Sequence, residues 1–330
     1  MNKKIILKKR PAGFPNSDTW ELLNSNIPEL KEDEFLIRNE YISLDPAMRG
    51  WINDSKSYIP PVQLDEVMRA GAIGKVIKSK NEKYKKGDIV TVMNGVQQYA
   101  ISDGKGQIKI QNVGLPLPKY LGVLGMPGMT AYFGLLEIGL PKEGETVLVS
   151  GAAGAVGSLV GQIAKIKGCK VIGIAGGKEK CDYLINELNF DDSIDYKTEN
   201  IWKTIKEKCP DGIDIYFDNV GGQILDAALS KINMKARIVI CGAISQYNSK
   251  IGYYGPKYYI NLLIKRARME GFVVFDYRDR YLEGAMQMAQ WMAEGKIKSK
   301  EFIVDGIENF YEAFGRLFSG KKLGKLVLKV

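Results

Sequence analysis

The sequence predicts an α/β protein of two domains, one rich in β structure and one built on a doubly wound parallel sheet. Three observations carry this. The chain has 330 residues, enough for about two domains of ordinary size. Its first third is a series of short β-branched runs, and its middle alternates apolar strands with segments of helical period.

In the first third, Phe35-Leu36-Ile37-Arg38, Gly71 to Ile77 and Asp88 to Met93 are bounded by Gly, Asp, Asn or Lys. No long helical period interrupts them. The texture changes around Leu121. Thr146-Val147-Leu148-Val149-Ser150 reads as a buried strand. Val156, Leu159, Val160, Ile163, Ala164 and Ile166 then recur at helical spacing over Val156 to Lys167. A strand over Lys170 to Ala175 and a helix over Lys178 to Leu188 continue the alternation. Further strands are expected at Ser193 to Tyr196, Ile213 to Asp218, Arg237 to Cys241 and Gly271 to Phe275. The tail returns to β texture, with Phe302-Ile303-Val304 and Lys325 to Lys329 around a helix near Phe310 to Ser319. It is expected to fold back onto the first domain. The division is thus 1–124 completed by 299–330, and 125–298.

Composition narrows the chemistry. The chain is 45% hydrophobic and 26% charged, which fits a globular protein. Its net charge of +9 comes from scattered lysines without a block of like charge, so a solvated surface is expected rather than a nucleic-acid partner. There is no histidine, which excludes a Ser-His-Asp triad, a Cys-His pair and any imidazole metal ligand. Cys169, Cys181, Cys209 and Cys241 are far apart, with no C-x-x-C pair to make a zinc site. Four cysteines, a start too short in apolar residues for a signal peptide, and no eighteen-residue apolar window point to a cytoplasmic protein without a membrane partner.

After the strand ending at Ser150 comes Gly151-Ala152-Ala153-Gly154-Ala155-Val156-Gly157, opening into a helix. Gly154 and Gly157 hold the second and third positions of the dinucleotide fingerprint, and Ala152 replaces the first. Gly154 allows backbone approach to a pyrophosphate, and Gly157 allows close helix packing. The helix N-terminus adds free N–H groups and a positive dipole end. The second strand ends in Ile174-Ala175-Gly176-Gly177-Lys178-Glu179, where an NAD site usually carries an acid. A carboxylate repels a 2′-phosphate and Lys178 pairs with it, so NADP is the expected cofactor.

With Gly151 to Gly157 and Lys178, the segments Tyr196-Lys197, Asp218-Asn219-Val220-Gly221-Gly222 and Cys241-Gly242-Ala243-Ile244-Ser245-Gln246-Tyr247-Asn248 resemble the zinc-independent medium-chain dehydrogenase/reductase family. The nearest branch is the NADPH-dependent alkenal and prostaglandin reductases. Leu44-Asp45-Pro46-Ala47-Met48-Arg49-Gly50 and Gly125 to Tyr132 agree with it. The resemblance implies a GroES-like β-barrel catalytic domain plus a Rossmann domain, and a homodimer. It places Ala152, Ala153, Gly154 and Ala155 on the pyrophosphate, with Val156 and Gly157 closing the turn, and Lys178 and Tyr196 on the 2′-phosphate. It places Asn219, the turn Cys241, Gly242, Ala243, Ile244, Ser245 and Tyr247, and the backbone of Phe272, Val273 and Val274 around the nicotinamide half. Ala47 stands where relatives often have Tyr, and Lys322 where some place an Asn.

Each segment also has a structural reading. Asp218 to Gly222 is equally a strand ending in a glycine turn, Tyr196 a strand aromatic, and Phe272 to Phe275 core or an apolar edge strand for a two-fold partner. Arg49 reads as a structural salt bridge. A protein with neither histidine nor zinc suits conjugate reduction of an enal or enone, in which charge gathers on the carbonyl oxygen and one or two donors suffice. Tyr247 is the candidate catalytic donor, or alternatively a ring packed on the cofactor. Reduction of quinones and non-catalytic nucleotide binding are the other functions this sequence admits.

Overall fold

Short runs of valine, isoleucine and leucine supply the strands, and their lengths and flanking glycines set where the sheets end. The computed structural model describes residues 1–111 and 114–330. The chain forms two units, Met1–Leu121 with Glu301–Val330, and Gly122–Lys300. The strands in chain order are β1 Asn2–Leu7, β2 Trp20–Ser25, β3 Phe35–Ser43, β4 Ala72–Ser79, β5 Ile89–Val92, β6 Tyr99–Ser102, β7 Ile108–Ile110, β8 Thr146–Ser150, β9 Lys170–Ala175, β10 Asp192–Asp195, β11 Ile213–Asp218, β12 Ile232–Ile240, β13 Arg268–Gly271, β14 Glu301–Asp305 and β15 Lys325–Lys329.

The first unit is the GroES-like domain. Its larger sheet runs β14-β15-β3-β4-β5-β7, with β6 also on β3. β3 is long enough to serve two partners along one edge. Phe35 to Arg38 pair with β6, and Tyr41 to Ser43 pair with β15. The tail strand β15 is therefore built into this sheet antiparallel to β3. Phe35, Ile37 and Ile42 of β3, Leu326 and Leu328 of β15, and Phe310 and Phe314 of the helix Phe310–Ser319 share one core.

That core encloses an ion pair. The Lys325 ammonium, with its side chain 3% exposed, lies 2.6 Å from Asp45 Oδ1 and donates to the Leu44 carbonyl at 3.0 Å. The Ser43 hydroxyl donates to the other carboxylate oxygen. Burial pushes the Lys325 ammonium down, against the pull of Asp45. The pair fixes the end of β3 to β15, and with it the start of the helix Met48–Trp51. Within that helix Arg49 is buried and donates to the Gly13 carbonyl at 2.7 Å and to Asn53.

The second unit is a Rossmann domain. Its six-stranded sheet has the order β10-β9-β8-β11-β12-β13 and every pairing is parallel. Both faces of such a sheet are covered, which is why β8 and β11 are nearly continuous apolar runs. The order reverses between β8 and β11, and ligands bind outside the carboxyl ends of strands at such a switch point. The strand expected at Gly271 to Phe275 lies earlier, at Arg268–Gly271, and Val274–Arg280 forms a 3-10 turn. The apolar run misplaced it because Phe272 packs inward. A Cβ on Gly134 would come within 2.4 Å of its ring. The outer edge of the sheet is thus Arg-Met-Glu-Gly, with Arg268 and Glu270 paired at 3.1 Å, rather than an apolar strip. Among the described residues no helix is long and apolar enough to cross a membrane.

Removing one partner of a buried pair strands the other charge. Lys325→Ala should lower unfolding stability by about 3–5 kcal/mol in urea at pH 7. The double variant Lys325→Met with Asp45→Leu should lose less, because no uncompensated charge remains. Equal losses in the two proteins would contradict this account.

Candidate functional site

The carboxyl ends of β8, β9, β11 and β12 carry the residues expected to hold a dinucleotide. Beyond β8, the turn begins at Gly151 in the left-handed region, φ +59°. Ala152 and Ala153 are buried beneath the turn, whereas Gly154, Ala155 and Val156 are partly exposed and form its outer surface. The helix Gly157–Ile166 follows, and its first turn is tied back to the glycine turn, the Ser158 N–H donating to the Gly154 carbonyl at 3.1 Å and those of Leu159 and Val160 to the Val156 carbonyl at 3.0 Å. A Cβ on Gly157 would lie 2.5 Å from the Gly151 carbonyl oxygen and 2.8 Å from Ala152 Cα, so only glycine allows the turn to close on the helix. A Cβ on Gly154 would meet only the Gly151 oxygen, at 3.1 Å.

At the end of β9, Gly177 has φ +98° and the helix Lys178–Asn186 starts. Asp195, closing the neighbouring β10, accepts the Gly177 N–H at 2.8 Å and the Lys197 N–H at 3.0 Å. These donors hold its carboxyl below the ordinary carboxylate range, against the desolvation that burial imposes. Tyr196 follows and lies across Gly176, where a Cβ would be 2.9 Å from its hydroxyl. Lys178 is 86% exposed and pairs with Asp182 at 2.6 Å. Lys180 is half-buried. Burial and the charge of Lys197 both push its ammonium down. Lys180, two residues beyond Lys178 and so on another face of the helix, is a further cation near Lys197 that the sequence reading did not single out.

Beyond β11, Asn219 joins the two central strands. Its N–H donates to the Ser150 hydroxyl at 2.9 Å and its amide to the Ser150 carbonyl at 2.8 Å. Its carbonyl accepts from Ile244 at 3.3 Å, and Val220 accepts from Ser245 N–H and hydroxyl. The turn after β12 is thereby fastened to the turn after β11. Cys241 is partly exposed as a residue, but burial pushes its thiol up to about 12. A thiol kept protonated in this way is a weak nucleophile. The Tyr247 hydroxyl accepts the Ala243 N–H at 3.2 Å, folding the ring onto Gly242 and Ala243. Phe272, Val273 and Val274 continue from β13 with Val274 buried.

Residues 3–110 match the family described as the N-terminal domain of oxidoreductase, and residues 155–291 that described as zinc-binding dehydrogenase. The NADPH-dependent curcumin reductase of Escherichia coli K12 is 42% identical over 334 residues, covering 100% of this chain and 97% of that protein. The NADP-dependent 2-alkenal reductase of Nicotiana tabacum is 42% identical over 336 residues, covering 100% and 97%. The crystal structure of CurA from Vibrio vulnificus in complex with NADPH superposes with a TM-score of 0.95 at 47% identity, covering 99% of each chain. The chain belongs to the zinc-independent medium-chain dehydrogenase/reductase family. Although the description of the second match names zinc, the residues of this member do not fit that ion. It has no histidine, and among the described residues no three His, Cys, Asp or Glu side chains stand together to hold a metal.

The two glycines of the turn should separate in experiment. Gly157→Ala forces backbone against backbone and should lower Tm by several degrees, equivalent to about 1–3 kcal/mol of overpacking. Gly154→Ala should leave Tm within two degrees or so while weakening NADPH binding, followed by cofactor fluorescence. A Tm loss at Gly154 as large as at Gly157 would contradict the geometry.

Proposed function

We propose that this protein, an NADP-dependent oxidoreductase, reduces the C=C bond of α,β-unsaturated aldehydes and ketones. The observation that carries the proposal is the donor set at the ends of β11 and β12. It consists of the Tyr247 phenol, with no imidazole in the chain and, among the described residues, no grouped metal ligands. Such a donor suits a reaction whose charge develops on a carbonyl oxygen remote from the carbon under attack. Its full-length identity to a 2-alkenal reductase and a curcumin reductase supports the same reading.

The residues fit an NADP dinucleotide. Gly154 to Gly157 and the helix N-terminus would hold the pyrophosphate, Tyr196 with Lys180 and Lys178 the 2′-phosphate, and Asn219, Cys241 to Tyr247 and Phe272 to Val274 the nicotinamide half. When bound, NADPH supplies a hydride to the β-carbon of the substrate. The chain stabilises the resulting enolate oxygen through the Tyr247 hydroxyl. That hydroxyl accepts the Ala243 N–H in the structure, which fixes the phenol beside the turn after β12. Cys241, its thiol kept protonated, is a weak nucleophile.

An NADPH-oxidation screen over enals, enones, quinones and simple ketones tests the proposal. Enals and enones should react best, giving a saturated product with its carbonyl intact. An allylic alcohol as the main product, or turnover of quinones alone, would overturn it. Tyr247→Phe should lower kcat for an enal by about 10²–10³, or by about tenfold if a second donor shares the oxygen. Its NADPH affinity should hardly change. Unchanged kcat with weakened NADPH binding would make Tyr247 a packing residue.

Cofactor choice is assigned mainly to Lys180. Lys178 is highly exposed, so its bond to a phosphate is screened, whereas Lys180 is half-buried. Lys180→Ala should raise KM for NADPH by about ten- to a hundredfold and leave that for NADH nearly unchanged. Lys178→Ala should have the smaller effect. Because its ammonium is pushed down, Lys180 loses its proton at a lower pH than an ordinary lysine. The preference for NADPH should therefore decline as pH rises through that range, with binding of NADH unaffected. A larger effect from Lys178→Ala would reverse the assignment.

A further inference from the structure

Asp218, the last residue of β11, is 1% exposed at the point where the strand order reverses. Four donors converge on its Oδ1. They are the Ser150 hydroxyl at 2.9 Å, the Tyr216 hydroxyl at 2.8 Å, and the N–H groups of Val220 and Gly221, both at 2.9 Å. Its other oxygen is buried with no hydrogen-bond partner among the described residues. Burying a carboxylate is costly, and leaving one oxygen without a donor makes this a poor device for stability alone. What the four bonds accomplish is geometric. Ser150 ends β8 and immediately precedes the glycine turn. Val220 and Gly221 form the turn after β11, and Gly221 with φ +69° presents its N–H to the carboxylate. Ser150 in turn accepts the Asn219 N–H, and its carbonyl accepts the Asn219 amide. The main chain of Asp218 also accepts the N–H groups of Cys241 at 2.9 Å and Gly242 at 3.1 Å, which start the turn after β12.

We propose that Asp218 is a positioning residue for the cofactor, its carboxylate holding the glycine turn after β8 and the Asn219–Gly222 turn after β11 at the separation the dinucleotide requires. This rests on the reading that the cofactor lies across the ends of β8 and β11. The contacts of Asp218 serve the parts shared by NADPH and NADH, so it sets affinity for both and does not discriminate between them. Lys180 is assigned the opposite behaviour. A carboxylate is charged and binds its donors more strongly, whereas an Asn amide offers one neutral acceptor oxygen and an NH2 group in place of the other. Asp218→Asn therefore weakens the convergence while keeping the side chain's shape.

The test is fluorescence titration of the full-length protein with NADPH and with NADH, well below the Tm of each variant. Asp218→Asn should weaken both cofactors by about tenfold or more, with their ratio unchanged. Ser150→Ala and Tyr216→Phe, each removing one donor, should weaken both by a smaller common factor. If folded Asp218→Asn binds both cofactors like the native protein while only its Tm falls, the residue is structural and the proposal fails. If Asp218→Asn does not fold, native affinity in both Ser150→Ala and Tyr216→Phe overturns it equally. Lys180→Ala separates the two levels. Loss of NADPH preference there with unchanged binding in Asp218→Asn rejects only this proposal. No effect from either variant rejects the placement of the cofactor as well.

Discussion

The reversal of strand order between β8 and β11 is the constraint on which the second unit depends. A parallel sheet ends in main-chain groups that its neighbours no longer satisfy, and at a switch point the covering helices depart to opposite faces. The strand ends there must be closed by something other than the sheet. This chain closes them with polar side chains, Ser150 and Asp218 within the strands and Asn219 beyond them. Their bonds run from β8 to β11, and main-chain bonds continue to the turn after β12. Glycine supplies the backbone freedom this requires, at Gly151 on one side and Gly221 on the other.

The first unit solves a different problem. Its sheet takes strands from both ends of the chain, so the tail must be recognised among other apolar strands of similar composition. The Lys325–Asp45 pair supplies that recognition. A slip of β15 by one residue turns Lys325 to the other face and leaves Asp45 buried without its cation. Hydrophobic burial from Leu326, Leu328, Phe310 and Phe314 drives the association. The ion pair contributes register more than net stability.

Much of the architecture was legible because burial on both faces writes itself into composition. Thr146 to Ser150, Lys170 to Ala175, Ile213 to Asp218 and Lys325 to Lys329 were read to the residue. Phe272 to Phe275 failed for an instructive reason. An apolar run is a strand signal only if neighbouring main chain is there to pair with it, and this one lies just past the strand, with Phe272 against Gly134. Lys180 escaped notice because position after a strand says little about which face of the next helix meets the site. Asp218 and Ser150 looked like ordinary polar strand ends. Their convergence joins residues 68 apart in the chain.

By itself the sequence determined the fold class, the glycine turn that opens the first helix of the second unit, and a chemistry without histidine. Each follows from local physics, namely the period of the apolar residues, the absence of a Cβ and the inventory of side chains. Tertiary structure decided which lysine is half-buried beside Lys197, where the sheet's outer edge falls, and which carboxylate gathers four donors on one oxygen. Those are matters of desolvation and of groups brought together from distant parts of the chain, and neither is written in any short stretch of residues.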